Sequence, residues 1–216
     1  SNKIIKMHRW ADLCKYTRTG GEASTVAVRI GRSYSKKNKV AICGYHGWHD
    51  WYLSANLKNN KNLNSHLLPN LETFGVDKNL FGNSIPFNFN DINSFKNVLA
   101  KNSDIGVVIM EVARQNRPSI SFLKNIKKIT KKKKITLIFD ECTSGFRETF
   151  GGIHLKYKVN PDICILGKAL GNGYPINVIF GSKKIMNSAK KSFISSTFWS
   201  DRVGPAAAIK TLEMMQ

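Results

Sequence analysis

The chain has several absences that narrow its class. No apolar run approaches membrane-spanning length, so no transmembrane helix is expected. The four cysteines, Cys14, Cys43, Cys142 and Cys164, show no CxxC spacing, which argues against zinc and against a disulfide framework. Cys43, Cys142 and Cys164 lie in or beside apolar strand-like runs and read as buried, reduced thiols. With no secretory signal read at the N-terminus, a cytoplasmic location is the expectation. No Gly/Pro/Ser linker and no internal repeat divides the sequence, so its 216 residues are expected to form one domain around one core.

Acidic residues are also scarce. Fourteen Asp and Glu stand against 34 Lys and Arg, a formal net charge of +20. A basic chain invites a nucleic-acid reading. Here the lysines do not alternate with exposed aromatics as stacking platforms require. The densest run, Lys131 to Lys134, falls between a helix-like and a strand-like segment, where a solvated turn is expected. A lysine-rich solvated surface therefore accounts for the charge better than a nucleic-acid partner does. A non-catalytic basic module remains the rival from another functional class, and strongly salt-dependent binding to DNA or RNA would be its mark.

Continuous apolar strands alternate with helical periodicity. Ala23, Val26, Ala27, Ile30 and Tyr34 predict a helix over 22–35. Strands are predicted at 40–43, 105–110, 135–139, 163–166 and 178–180. Helices are predicted around Ile92, Phe95, Val98 and Leu99, and around Phe122, Leu123, Ile126 and Ile129. Residues 54–90 have weak periodicity and read as a long irregular excursion. This pattern predicts an α/β fold, a mostly parallel sheet with helices on both faces.

Lys168 stands apart from the other lysines. It lies in Ile165-Leu166-Gly167-Lys168-Ala169-Leu170-Gly171, among small and apolar residues. Burial among such neighbours would disfavour its charged form and free it as a nucleophile. Asp140 ends the apolar run Ile135-Thr136-Leu137-Ile138-Phe139, and strand ends are where α/β folds place chemistry. The two are 28 residues apart (168 − 140). A lysine that forms a Schiff base and an aspartate for a pyridinium nitrogen are the minimal equipment of a pyridoxal-phosphate (PLP) site. Thr19-Gly20-Gly21-Glu22 has capping-box spacing, and two glycines at a helix start let an anion approach the backbone closely. His49 and Asp50 form no metal-ligand spacing, and no metal is expected.

Six stretches, in order, carry a resemblance: Thr19-Gly20-Gly21-Glu22-Ala23, Gly44-Tyr45-His46-Gly47, Phe139 to Arg147, Pro161-Asp162, Gly167-Lys168 and Ser196-Thr197-Phe198-Trp199. Together they resemble a class III aminotransferase of fold type I, closest to glutamate-1-semialdehyde aminomutase and its aminotransferase relatives. The resemblance implies a PLP-dependent aminotransferase or 2,1-aminomutase in which Lys168 and Asp140 are catalytic. It implies that Gly20 and Gly21 hold the cofactor phosphate and that Tyr45 stacks on the ring opposite Cys142. His46 is placed beside the cofactor, where it could act in proton transfer, although a structural histidine is the preferred reading. Glu111 matches the family's strand-end Glu-Pro with Val112 in place of proline, and reads as a supporting group. Thr197, in a segment read as a loop, is implied to reach the phosphate of a neighbouring subunit, so a homodimer with shared sites is expected. The partners implied are a small-molecule amino donor and acceptor. Family members are about twice as long, so residues 1–216 correspond to the PLP-binding large domain alone. The family's N-terminal segment and C-terminal small domain are then missing, which leaves a catalytically incomplete PLP-binding fragment as the alternative.

Overall fold

The computed structural model describes residues 1–66 and 68–215. Seven strands form one sheet: β1 (Leu13–Thr17), β2 (Lys39–Cys43), β3 (Ser84–Pro86), β4 (Ile105–Glu111), β5 (Thr136–Glu141), β6 (Ile163–Leu166) and β7 (Asn177–Gly181). Their order is β1-β7-β6-β5-β4-β2-β3. The pairs among β6, β5, β4, β2 and β3 are parallel, and β7 is antiparallel to both β6 and β1. Six strands thus share one direction and β7 runs against them. The predicted α/β class and mostly parallel sheet hold.

Alternation along the strands explains the two layers. Val40, Ile42, Val107, Ile109, Ile138, Ile163, Ile165 and Ile179 pack to one face. That face receives α2, the helix Gly20–Ser35, through Ala23, Ala27, Val28 and Ile30. Ala41, Cys43, Val108, Met110, Leu137, Phe139, Cys164, Leu166, Val178 and Phe180 pack to the other face. There they meet α1 (Asn2–Met7), α4 (Ile92–Lys101), α5 (Ile120–Lys133) and α8 (Val203–Met214). Three short helices complete the layers: α3 (Asp50–Leu53), α6 (Ile153–Tyr157) and α7 (Lys183–Met186).

Several boundaries differ from the sequence reading. Helix α2 starts two residues early and takes Gly20 and Gly21 into its first turn. Residues 54–90 are not wholly irregular, because β3 pairs with β2 at the sheet edge. A three-residue strand offers too little periodicity to be read. Strand β1 and helix α8 form where the sequence pattern predicts no element. The exposure pattern of β1 is mixed, because it is an edge strand with only Thr17 buried. Lys131 to Lys133 form the last turn of α5 rather than a free turn, and Lys134 closes it in the left-handed conformation (φ 54°). Positive charge at a helix C-terminus is favoured by the helix dipole. No helix among the described residues is long and apolar enough to cross a membrane.

Candidate active site

The C-terminal ends of β1 and β5 point the same way, so both deliver residues to one end of the sheet. Thr19 caps α2 by accepting the Glu22 N–H at 3.2 Å, and Glu22 Oε2 accepts the Arg18 N–H at 3.0 Å. The predicted capping box therefore forms, shifted by one residue on its return bond. A 16-residue helix leaves its first N–H groups without intrahelical partners and with positive potential. Gly20 and Gly21 occupy that turn. Gly47, at φ +97°, brings its backbone so close to Gly21 that a Cβ there would meet the Gly21 Cα at 2.6 Å.

Asp140, next to last in β5, lies on the α2 face and is 5% exposed. Its Oδ2 lies 2.8 Å from His46 Nδ1 and 3.4 Å from Ser24 Oγ, and its Oδ1 accepts the Cys142 N–H at 3.1 Å. His46 is buried, and its Nε2 has no partner among the described residues. The Cys142 thiol bonds to Asn177 Oδ1 at 3.2 Å, and burial, reinforced by the charge of Asp140, pushes it up to about 12. Asn177 Nδ2 in turn donates to the Arg18 carbonyl at 3.0 Å. Gly167 must be a glycine, because a Cβ there would sit 1.9 Å from Asn177 Oδ1.

A cavity of about 490 Å³ opens among these groups. Gly20, Gly21, Tyr45, His46, Asp140, Cys142 and Lys168 all line it. Its sequence setting predicts that the Lys168 amine is held among apolar neighbours. The structure corrects that point: Leu166 and Leu170 turn into the core, while Lys168 is exposed at the cavity and Nζ donates to Thr143 Oγ1 at 2.9 Å. A left-handed backbone at Lys168 (φ 42°) follows the end of β6, where the chain leaves the sheet.

Two predicted residues lie elsewhere. Glu111 borders a neighbouring cavity of about 400 Å³ with His66 and Arg114. Its Oε2 accepts the Tyr45 N–H at 3.0 Å, and burial raises its carboxyl above the usual carboxylate range. Thr197 is exposed, outside the Asp140 cavity, and begins a 3-10 turn over Thr197–Ser200 rather than an irregular loop. Ser196 caps that turn by accepting the Phe198 N–H. Arg18, Ser24, Thr143 and Asn177 also line the cavity, and none of them stands out as a site residue in the sequence. Ser24 could have been found, one helical turn after Gly20. Asn177 carries no local signal, because its role depends on contacts with distant segments.

The family model of the class-III aminotransferases matches residues 1–216. This chain belongs to the class-III aminotransferase family. Its relatives include the 3-aminobutyryl-CoA aminotransferase of Cloacimonas acidaminovorans, 33% identical over 99% of this chain and 50% of that protein. The glutamate-1-semialdehyde 2,1-aminomutase of Archaeoglobus fulgidus is 31% identical over 95% of this chain and 50% of its own length. A solved transaminase with PLP bound superposes with a TM-score of 0.87 at 22% identity, over 100% of this chain and 52% of that one. The chain spans about half the length of the curated relatives it matches. Membership in this family favours an enzyme over a basic binding module.

The cavity's donors fit the cofactor implied by the family. A helix N-terminus with two glycines suits a phosphate, a buried carboxylate suits a protonated ring nitrogen, and a flexible amine at the wall suits an aldehyde. The unpartnered, buried His46 Nε2 beside Asp140 adds a polar atom with unused bonding capacity.

Proposed function

We propose that this protein is a PLP-dependent aminotransferase or 2,1-aminomutase. Its substrates are small amino and keto compounds of the amino-acid or semialdehyde type. The observation that carries the reading is that Asp140 and Lys168, far apart in sequence, line one cavity with the Gly20-Gly21 helix start. When bound, the cofactor supplies a ring that takes up the electron pair released at a substrate carbon. Gly20 and Gly21 would hold its phosphate with backbone N–H groups. Tyr45 and Cys142 would flank the ring, and Glu111 would steady Tyr45 through its N–H. Asp140, oriented by His46 and the Cys142 N–H, would hold a proton at the ring nitrogen. Lys168 would anchor the cofactor covalently through Nζ and, once released, move a proton at the substrate carbon.

The same reading makes residues 1–216 the cofactor-binding large domain of a homodimer, with Thr197 serving the partner's phosphate. The exposure of Thr197, Phe198 and Trp199 supports this. Four free cysteines support a reducing, cytoplasmic setting.

The test is an absorption spectrum of the full-length protein with PLP before and after borohydride, followed by peptide mapping. Label at Lys168 is expected. Label at another lysine, or none at saturating cofactor, defeats the assignment. For the shared site, mixed dimers of T197V and K168A chains should regain activity in one of their two sites. Mixed dimers that stay inactive would place Thr197 and Lys168 in the same subunit's site.

A further inference from the structure

We propose that Thr143 is the positioning residue for the Lys168 amine, a role that deepens the PLP reading above and rests on it. Thr143 Oγ1 accepts from Lys168 Nζ at 2.9 Å, and both residues line the Asp140 cavity. A lysine side chain has four rotatable bonds, and an exposed one samples many rotamers. One acceptor at the right place removes most of that freedom. The acceptor is itself fixed, because Thr143 sits in a short loop pinned on both sides. The Cys142 N–H bonds to Asp140 Oδ1, and the Gly145 N–H bonds to the Glu141 carbonyl at 2.8 Å. Asp140 and Thr143 are therefore held by one turn, and the amine is referenced to the same turn.

The chemical type of the acceptor matters as much as its place. Lys168 forms no ion pair among the described residues. A carboxylate at Thr143 would favour the ammonium form, which has no lone pair to offer. A neutral hydroxyl accepts one N–H and leaves the nitrogen lone pair free. In the proton transfer, the substrate C–H bond breaks, an N–H bond forms at Nζ, and the electron pair stays with the carbon. The resulting ammonium still donates to the same oxygen, so the nitrogen keeps its place before and after the proton moves. Returning that proton to a different atom needs no search for a new position.

The experiment compares T143V, which keeps the shape and loses the hydroxyl, with T143S, which keeps the hydroxyl. Both are made in the full-length protein and read in two ways. The first is the split between kcat and KM. The second is the rate at which cofactor-free protein captures PLP, followed by absorbance. T143V should lower kcat by about 10- to 100-fold with little change in KM, since a misplaced reacting group costs rate rather than binding. It should also slow capture, and T143S should restore both. If T143V does not fold, T143A is read against T143S in the same way. Wild-type rates in T143V or T143A overturn the proposal, as does a T143S as slow as T143V. A wild-type protein that captures no PLP brings down the functional reading itself, and this inference with it.

Discussion

Asp140 and Glu141 are neighbours in one strand, both acids and both buried, yet they do opposite work. Strand alternation sends Asp140 to the α2 face and Glu141 to the other. The donors to Asp140 come from separate elements, His46 after β2, Ser24 in α2 and the Cys142 N–H, and the residue lines a cavity. The Glu141 side chain is 0% exposed and takes four bonds: Ser144 Oγ at 3.0 Å, the Ile153 N–H at 2.6 Å, the His154 N–H at 3.0 Å and His154 Nδ1 at 2.5 Å. All four come from the segment that follows it, so Glu141 staples residues 144–154 beneath the sheet. The His154 ring stacks on His8 at 5.3 Å, and Trp10 stands edge-on to it. An acid at a strand end is thus a poor guide to chemistry by itself. What separates the two is whether the carboxylate faces open space or is wholly consumed by its own chain.

The sharpest way to break this comparison is to neutralise each acid in turn in the full-length protein. D140N should cut kcat by at least about 100-fold, on the order of 3 kcal/mol of transition-state stabilisation, with the urea midpoint almost unmoved. Turnover within a few-fold of wild type would remove Asp140 from the chemistry. E141Q should do the reverse. Losing the charged partner of a buried histidine should cost roughly 2 kcal/mol of stability, read as a lower urea midpoint, while the protein that remains folded keeps its rate. An E141Q protein that is stable and slow would erase the contrast.

A smaller effect comes from pH. Burial lowers His8, on the Glu141 side, to about 4, and lowers His66, beside Glu111, to about 4 as well. Each histidine takes up a proton more readily in the unfolded chain, whose value lies near 6.5. Their stabilisation is therefore complete above about pH 6.5 and is lost as pH falls from there toward 4. Between about pH 7 and about pH 5.5 each should cost roughly 1 kcal/mol, seen in urea melts at the two pH values. H8Q should remove about half of that acid sensitivity. An unchanged pH slope in H8Q would show that His8 is not buried neutral.

Much of this architecture was legible in the sequence, for identifiable reasons. The strands 40–43, 105–110 and 163–166 are fully buried on both faces, so they appear as unbroken apolar runs. Helix α2 has a cap, an apolar stripe and a break, and its boundary missed by two residues because glycine signals a turn as readily as a helix start. That Asp140, Lys168 and the two glycines meet at one cavity was legible because each lies at or beside the end or start of an element. The setting of Lys168 was not. Flanking Leu166 and Leu170 suggested burial, but a left-handed residue turns the side chain away from its neighbours, and no propensity signals that conformation in lysine. Arg18 and Asn177 were invisible because they meet only when β1 pairs with β7, 159 residues on in the sequence.

That meeting also sets an order of assembly. β1 pairs with β7 in the register Thr17↔Asn177, across a span of 160 residues (177 − 17), and Asn177 reaches back to the Arg18 carbonyl. Closing so long a loop carries a larger entropic cost than joining β4 to β5 or β5 to β6, whose partners are 25 to 29 residues apart (163 − 138 and 136 − 107). On the ribosome the glycine turn is made early, but it waits for some 160 further residues before Asn177 can reach it. Pulse-labelled hydrogen exchange during refolding should protect the amides of β4 and β5 first and those of β1 last. The first turn of α2 is then the last wall of the cavity to be fixed, and a chain stalled before β7 would hold the parallel strands β2 to β6 with that cavity still open on one side.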